Sequence, residues 1–175
     1  GFAVAAAAIG VGQTADAQDE LPREGTVEAF SSWEARGHIY PTGPEEATFV
    51  GVLSGIMYVR DETGSIDAGL ITCPGSITVD TSDGSQIGEA KCVIATPENA
   101  RIFGRFTCEG IYLEGCNGEF EITGGTAHLD GIEGGGRIEL KSAFAHVALV
   151  PGSVVDQTAA GLALWPALTY RLPQE

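Results

Sequence analysis

His146 and Arg105 are the side chains in this chain best placed to move a proton or hold a developing negative charge. Each lies in a stretch whose apolar residues alternate with period two. His146 shares strand parity with Ile138, Leu140, Ser142 and Phe144. If those residues face a barrel interior, the imidazole does too, and could donate or accept a proton there. The alternative is a hydrogen-bonded core histidine near a strand end. Arg105 shares parity with Phe103 and is either a lumenal cation or a solvent-facing one. His128, in a glycine-rich corner, and His38, in a loop, are expected at the surface. No nucleophile elbow is present, because Gly51-Val-Leu-Ser54-Gly55 has the wrong spacing for Gly-x-Ser-x-Gly. Gly131-Ile-Glu-Gly134-Gly135-Gly136 lacks the following helix that a dinucleotide loop requires. The catalytic site is therefore unassigned, with His146 and Arg105 as its candidates, and no cofactor is implied.

The cysteines read as structural. Cys73, Cys92, Cys108 and Cys116 allow three pairings. The midpoint of Cys73 and Cys92 falls next to the Asp83-Gly84 turn, so a hairpin folded there sets the two nearly opposite each other. Cys108 and Cys116 flank Glu109 to Gly115 in the same way. The spacing predicts Cys73 with Cys92 and Cys108 with Cys116, each worth about 2–4 kcal/mol. Zinc is the rival reading, but there is no Cys-x-x-Cys pair and the histidines are scattered, so no metal is expected.

Those cysteines imply an oxidising compartment, and the amino end agrees. Phe2 to Val11 is an apolar, uncharged run, followed by Ala15-Asp16-Ala17 before Gln18, which fits signal peptidase specificity. Residues 1–17 are expected to be a signal peptide or a retained membrane anchor, and residues 18–175 a single β-barrel domain. Export places the protein in the periplasm or outside the cell. Asp and Glu outnumber Lys and Arg by 24 to 9, which leaves no basic patch to release counterions and disfavours nucleic acid and anionic lipid. The acidic pairs Glu45-Glu46 and Asp61-Glu62 lack the spacing of a calcium loop.

The elements that must position these residues are strands. Twenty-five glycines and one methionine among 175 residues, with segments rich in Val, Ile, Phe and Thr, suit sheet better than helix. Strands are predicted over Thr26–Trp33, Thr48–Arg60, Ser65–Thr72, Ser76–Asp80, Gln86–Ala95, Arg101–Cys108, Ile111–Leu113 and Gly136–Val150. Gly37 to Glu46 reads as a loop, and Ser82-Asp83-Gly84-Ser85 and Pro97-Glu98-Asn99 as turns. Eight or so short strands at this spacing indicate an all-β barrel or sandwich. Ser153-x-x-Asp156 resembles a capping box for a short helix over Thr158–Leu164, broken by Pro166. The apolar tail from Leu162 to Leu172 is then a last barrel strand, a lid, or a patch that docks on a membrane protein.

Phe120 to Leu140 carries the most specific pattern. Phe120-Glu-Ile-Thr-Gly-Gly125-Thr leads into an apolar-Asp-Gly131-Ile step and Gly134-Gly-Gly136 before the next strand, which predicts strand, turn, short strand, turn, strand. This corner resembles that of the allene oxide cyclase and dirigent-like barrels, over roughly Phe103 to Val147. The resemblance implies an antiparallel eight-stranded barrel with an apolar central cavity. Plant members of that group cyclise an unsaturated epoxide or steer radical coupling, and bacterial relatives include polyketide cyclases. None of the plant cyclases' catalytic residues falls on a matching motif here.

Two functions follow. The first is a non-catalytic exported barrel. It would act as an accessory subunit of a membrane-associated complex, held by its leader or its tail, or as a binder of a small apolar molecule. The second is a cofactor-free cyclase or isomerase that orders a hydrophobic substrate in its cavity while His146 or Arg105 polarises it. An open apolar lumen with a few converging polar groups favours binding or catalysis, and a filled lumen favours a structural subunit.

Overall fold

A computed structural model describes residues 22–61, 64, 66–149 and 154–174. Residues 1–17, the predicted leader, lie outside the described residues. The chain forms eight strands: β1 Glu24–Pro41, β2 Glu46–Arg60, β3 Ile66–Asp80, β4 Ser85–Ala95, β5 Arg101–Ile111, β6 Gly115–Gly125, β7 Glu133–Leu149 and β8 Val155–Arg171. Each pairs antiparallel with its sequence neighbours, and β8 closes on β1. The all-β, eight-stranded antiparallel barrel expected from the sequence is the fold observed. Closure leaves no strand edge exposed.

Period two runs around the whole wall. Ala29, Ser31 and Trp33 of β1 point inward and are buried, while Glu28, Ser32 and Glu34 point outward and are exposed. Cys73, Ile71 and Val79 of β3, Cys92 and Ile94 of β4, and Phe120 and Ile122 of β6 are likewise interior. Both predicted disulfides form inside the barrel. Cys73–Cys92 links β3 to β4 with Cα atoms 4.1 Å apart, and Cys108–Cys116 links β5 to β6 at 5.5 Å. The β3–β4 turn that sets the first pair is held by Asp80, whose Oδ1 accepts from the Ser82 backbone N–H at 2.8 Å and the Ser82 hydroxyl at 2.6 Å. Gly84 completes that turn at φ +78°, a conformation that L side chains rarely adopt. The two disulfides point to an oxidising environment.

Several local expectations are corrected. The predicted loop over Gly37–Glu46 shrinks, because β1 continues to Pro41 and leaves only a tight turn before Glu46. The two strands predicted between 65 and 80 are one strand over its described part, Ile66–Asp80, uninterrupted by Pro74, whose side chain takes an outward position. Beyond Ile111 lies a turn in place of a strand, with Leu113 at φ +65° and the Glu114 N–H donating to the Ile111 carbonyl at 3.0 Å. The short strand of the glycine corner is a single 3-10 turn, Ala127–Leu129, which buries Leu129.

The largest correction concerns the carboxyl end, where the helix predicted over Thr158–Leu164 is the middle of β8. A capping box stabilises a helix locally, whereas this segment completes two ladders at once, one with β1 and one with β7. The tail is thus the last barrel strand, with Trp165 and Leu168 inside and Leu162 outside. Pro166 is accommodated by a bulge. Val27 pairs with Leu168 and Ala29 with Trp165, so Glu28 alone faces the two residues Pro166 and Ala167. A bulge spares the ladder the amide that proline cannot donate.

Candidate functional site: a half-open lumen

The barrel interior divides into two halves. Toward the Ala127–Leu129 turn it is packed solid: Trp165, Phe120, Met57, Ile71 and Ile138 are each 2% exposed or less. Phe120 meets Trp165 edge to face, with centroids 5.7 Å apart at 84°, a favoured aromatic geometry. Toward the turns that follow β1, β3 and β5 the side chains thin out. There the inward positions hold Gly51, Gly75 and Gly88 in place of bulk. The Phe49 ring lies over Gly37 and Gly51, where an added Cβ would come within 2.8 Å and 2.4 Å of it. Glycine here lets an aromatic ring lie flat on the wall and leaves the axis free.

The result is a cavity of about 100 Å³, walled chiefly by Trp33, Phe49, Leu53, Ile77, Phe106 and Leu140 and by three of the four half-cystines. A single water needs ~10–15 Å³ on this measure, so the space suits several waters or one small ring. Its polar groups are few, and all are uncharged. Gln86 and Gln157 are more than nine-tenths buried. The Tyr112 hydroxyl donates to Gln157 Oε1, and Gln86 Nε2 donates to the Gly115 carbonyl at 3.2 Å. Gln157 Nε2 and Gln86 Oε1 have no hydrogen-bond partner among the described residues. Ser142 adds a hydroxyl at the wall. Burial pushes the Tyr112 phenol up from its ordinary value, against the opposing effect of its hydrogen bond to Gln157, so the group stays protonated at neutral pH. Glu89 touches the lining but is exposed and has outward strand parity. The site therefore offers an apolar slot with a neutral donor-and-acceptor patch.

The sequence-derived candidates lie elsewhere. His146 is exposed and does not reach the lumen. A bulge at Ala143, between the pairs Ser142↔Gly161 and Phe144↔Ala160, inverts the parity of β7. Phe144, on the same side as His146, is 59% exposed. Arg105 is also on the outer wall, where its Nε and Nη2 hold Glu121 Oε2 at 2.8 Å and 2.7 Å. The two candidates are not brought together. His128 is exposed, and His38, exposed on β1, pairs through Nδ1 with Asp156 Oδ1 at 2.5 Å. Among the described residues, no group of three or more His, Cys, Asp or Glu could hold a metal ion, and no helix is long and apolar enough to cross a membrane.

Gln86, Tyr112 and Gln157 belong to no motif in the sequence. Gln86 was within reach, since it shares parity with Cys92 in a predicted strand. Gln157 lies between the capping box and the helix predicted over Thr158–Leu164, where no strand parity is assigned. Comparison with known proteins gives no matching family model, no matching curated protein and no matching solved structure.

Proposed function

We propose that this protein is a non-catalytic barrel that binds one small, neutral, largely apolar molecule in the open half of its lumen. The observation that carries the reading is the apolar cavity of about 100 Å³ with two buried glutamine amides at its wall. A charged ligand would lose its hydration without a counter-charge, whereas a hydroxyl or carbonyl meets Gln86 or Gln157 directly. Oriented binding of this kind needs few polar contacts, because the apolar walls supply most of the affinity and the amides supply the direction.

The cyclase reading, and with it membership of the allene oxide cyclase or dirigent-like group, draws support from the eight-stranded barrel and the apolar slot. It lacks support from the polar groups, which are amides, a hydroxyl and a protonated phenol and offer no general base. An exported location is supported by the paired cysteines and by the composition of residues 1–17, which would act as a signal peptide or as the anchor to a membrane-associated complex.

Titration with p-cresol, one ring bearing one neutral hydroxyl, tests the binding reading. The expected result is saturable quenching of Trp33 fluorescence with Kd of about 1 mM or tighter, near −4 kcal/mol. Ala35→Phe, which places a ring in the cavity, should weaken that binding at least about tenfold. Gln157→Leu should weaken p-cresol more than toluene. Equal binding by the parent chain and Ala35→Phe would rule the lumen out as the site.

A further inference from the structure

The outer wall of the barrel is strongly asymmetric. Facing solvent on β4 to β7 are Glu89, Lys91, Arg101, Arg105, Glu109, Glu119, Glu121, Arg137, Glu139 and Lys141, paired across strands as Lys91↔Arg105, Arg105↔Glu121 and Glu119↔Arg137. On the opposite side, the outward positions of β2 from Thr48 to Tyr58 oppose those of β3 from Ala68 to Thr78 in six successive pairs. Not one of these residues is charged. Apolar side chains stand out from this face: Leu70 is 63% exposed, Val50 50% and Ile56 42%. It continues across β1 and β8, where Ser32 pairs with both Ile56 and Leu162, and Leu162 is 59% exposed. Phe30 stacks on Tyr58 at 5.2 Å to form a ridge on the same side. The charges of β1 on this side are paired, Glu34 with Arg36 at 3.2 Å and Glu28 with Arg60 at 3.8 Å, and Glu89 of β4 borders the face opposite Ser76.

We infer that this face is a self-association surface, through which two copies of the chain meet about a two-fold axis. Three observations select a second copy as the occupant. The chain carries a net charge of −15, so copies repel wherever carboxylates meet, whereas the six outward pairs of β2 and β3 at the centre of this face carry no charge. A two-fold contact must be self-complementary, a condition that an uncharged, apolar sheet face meets against itself. Its size is also sufficient. Four strands about 4.8 Å apart, over about 34 Å of strand length, give about 650 Å² on a flat measure, close to the ~800 Å² that each partner contributes to a standard interface. Because the barrel has no free strand edge, association has to use side-chain faces of this kind, packed sheet on sheet.

Sedimentation velocity of the full chain across about 1 to 100 µM tests the inference. The parent chain should sediment as a dimer in the upper part of that range. Leu70→Glu and, independently, Ile56→Glu should each raise the dimer dissociation constant at least about tenfold, with unchanged circular dichroism because both side chains are exposed in the monomer. Thr107→Glu, the same added charge on the outer wall of β5, should leave the dimer intact. A parent chain that stays monomeric at 100 µM overturns the inference. So does a dimer indifferent to both Leu70→Glu and Ile56→Glu, which would place the contact on another surface or on residues 1–21, and so does equal weakening by Thr107→Glu.

Discussion

Trp165→Ala should lower stability by about 3–5 kcal/mol, the range for deleting a large aromatic from a packed interior. Trp165 is the largest of the fully buried side chains, and its ring is engaged by Phe120. Its neighbours cannot collapse into the void, because they are fixed by ladders on both sides and by the bulge at Pro166. Against a typical total of about 5–15 kcal/mol, such a loss brings the chain close to the limit of folding. Trp165→Phe should cost much less, since it keeps a ring against Phe120 and removes an indole N–H that has no partner among the described residues. Leu53→Ala, on the wall of the open half, should cost less than about 2 kcal/mol, because its methyls already border empty space. Urea denaturation of the three variants measures the contrast. Equal losses at Trp165 and Leu53 would contradict a lumen that is packed at one end and open at the other.

The disulfides carry the second large effect. Cys73–Cys92 closes a loop with a sequence separation of 19 and Cys108–Cys116 one of 8. Loop-closure entropy then assigns about 3.3 kcal/mol to the first and about 2.6 kcal/mol to the second. Replacing both members of a pair by alanine should therefore destabilise in that order, with some further loss from each because the sulfurs are buried in the lumen. The midpoint of urea unfolding for the parent chain and the two double variants gives the comparison. A larger loss from the Cys108/Cys116 variant would mean that packing around the β5–β6 turn outweighs chain entropy. Reduction of the parent chain should shift the midpoint further than either double variant.

Which features the sequence discloses follows from how far apart their causes lie. Inward and outward sides of β4 and β6 are readable from alternation, and the cysteine pairing from hairpin symmetry, because each depends on residues close in the chain, whereas β2 is apolar on both parities and Arg105 of β5 fits either side. The fate of Thr158–Leu164 depends on β1 and β7, more than a hundred residues and about ten residues away respectively, so the local capping signal misleads. His146 fails for a related reason. A bulge at Ala143 leaves no mark in composition, yet it moves Phe144 and His146 to the outer face. The cavity is set by glycines spread over β2, β3 and β4, which read singly as turn or spacing residues. Their common role appears only when the barrel closes and aligns them at one level.

The central claim is that the open half of the lumen takes a small neutral ligand, and a crystal structure of the protein soaked with p-cresol tests it most directly. The account predicts ring density between Trp33 and Leu140, with the hydroxyl within hydrogen-bonding distance of Gln157 or Gln86. Trp33, Phe49 or Phe106 folded into that space, or p-cresol bound only on the outer wall, would contradict it.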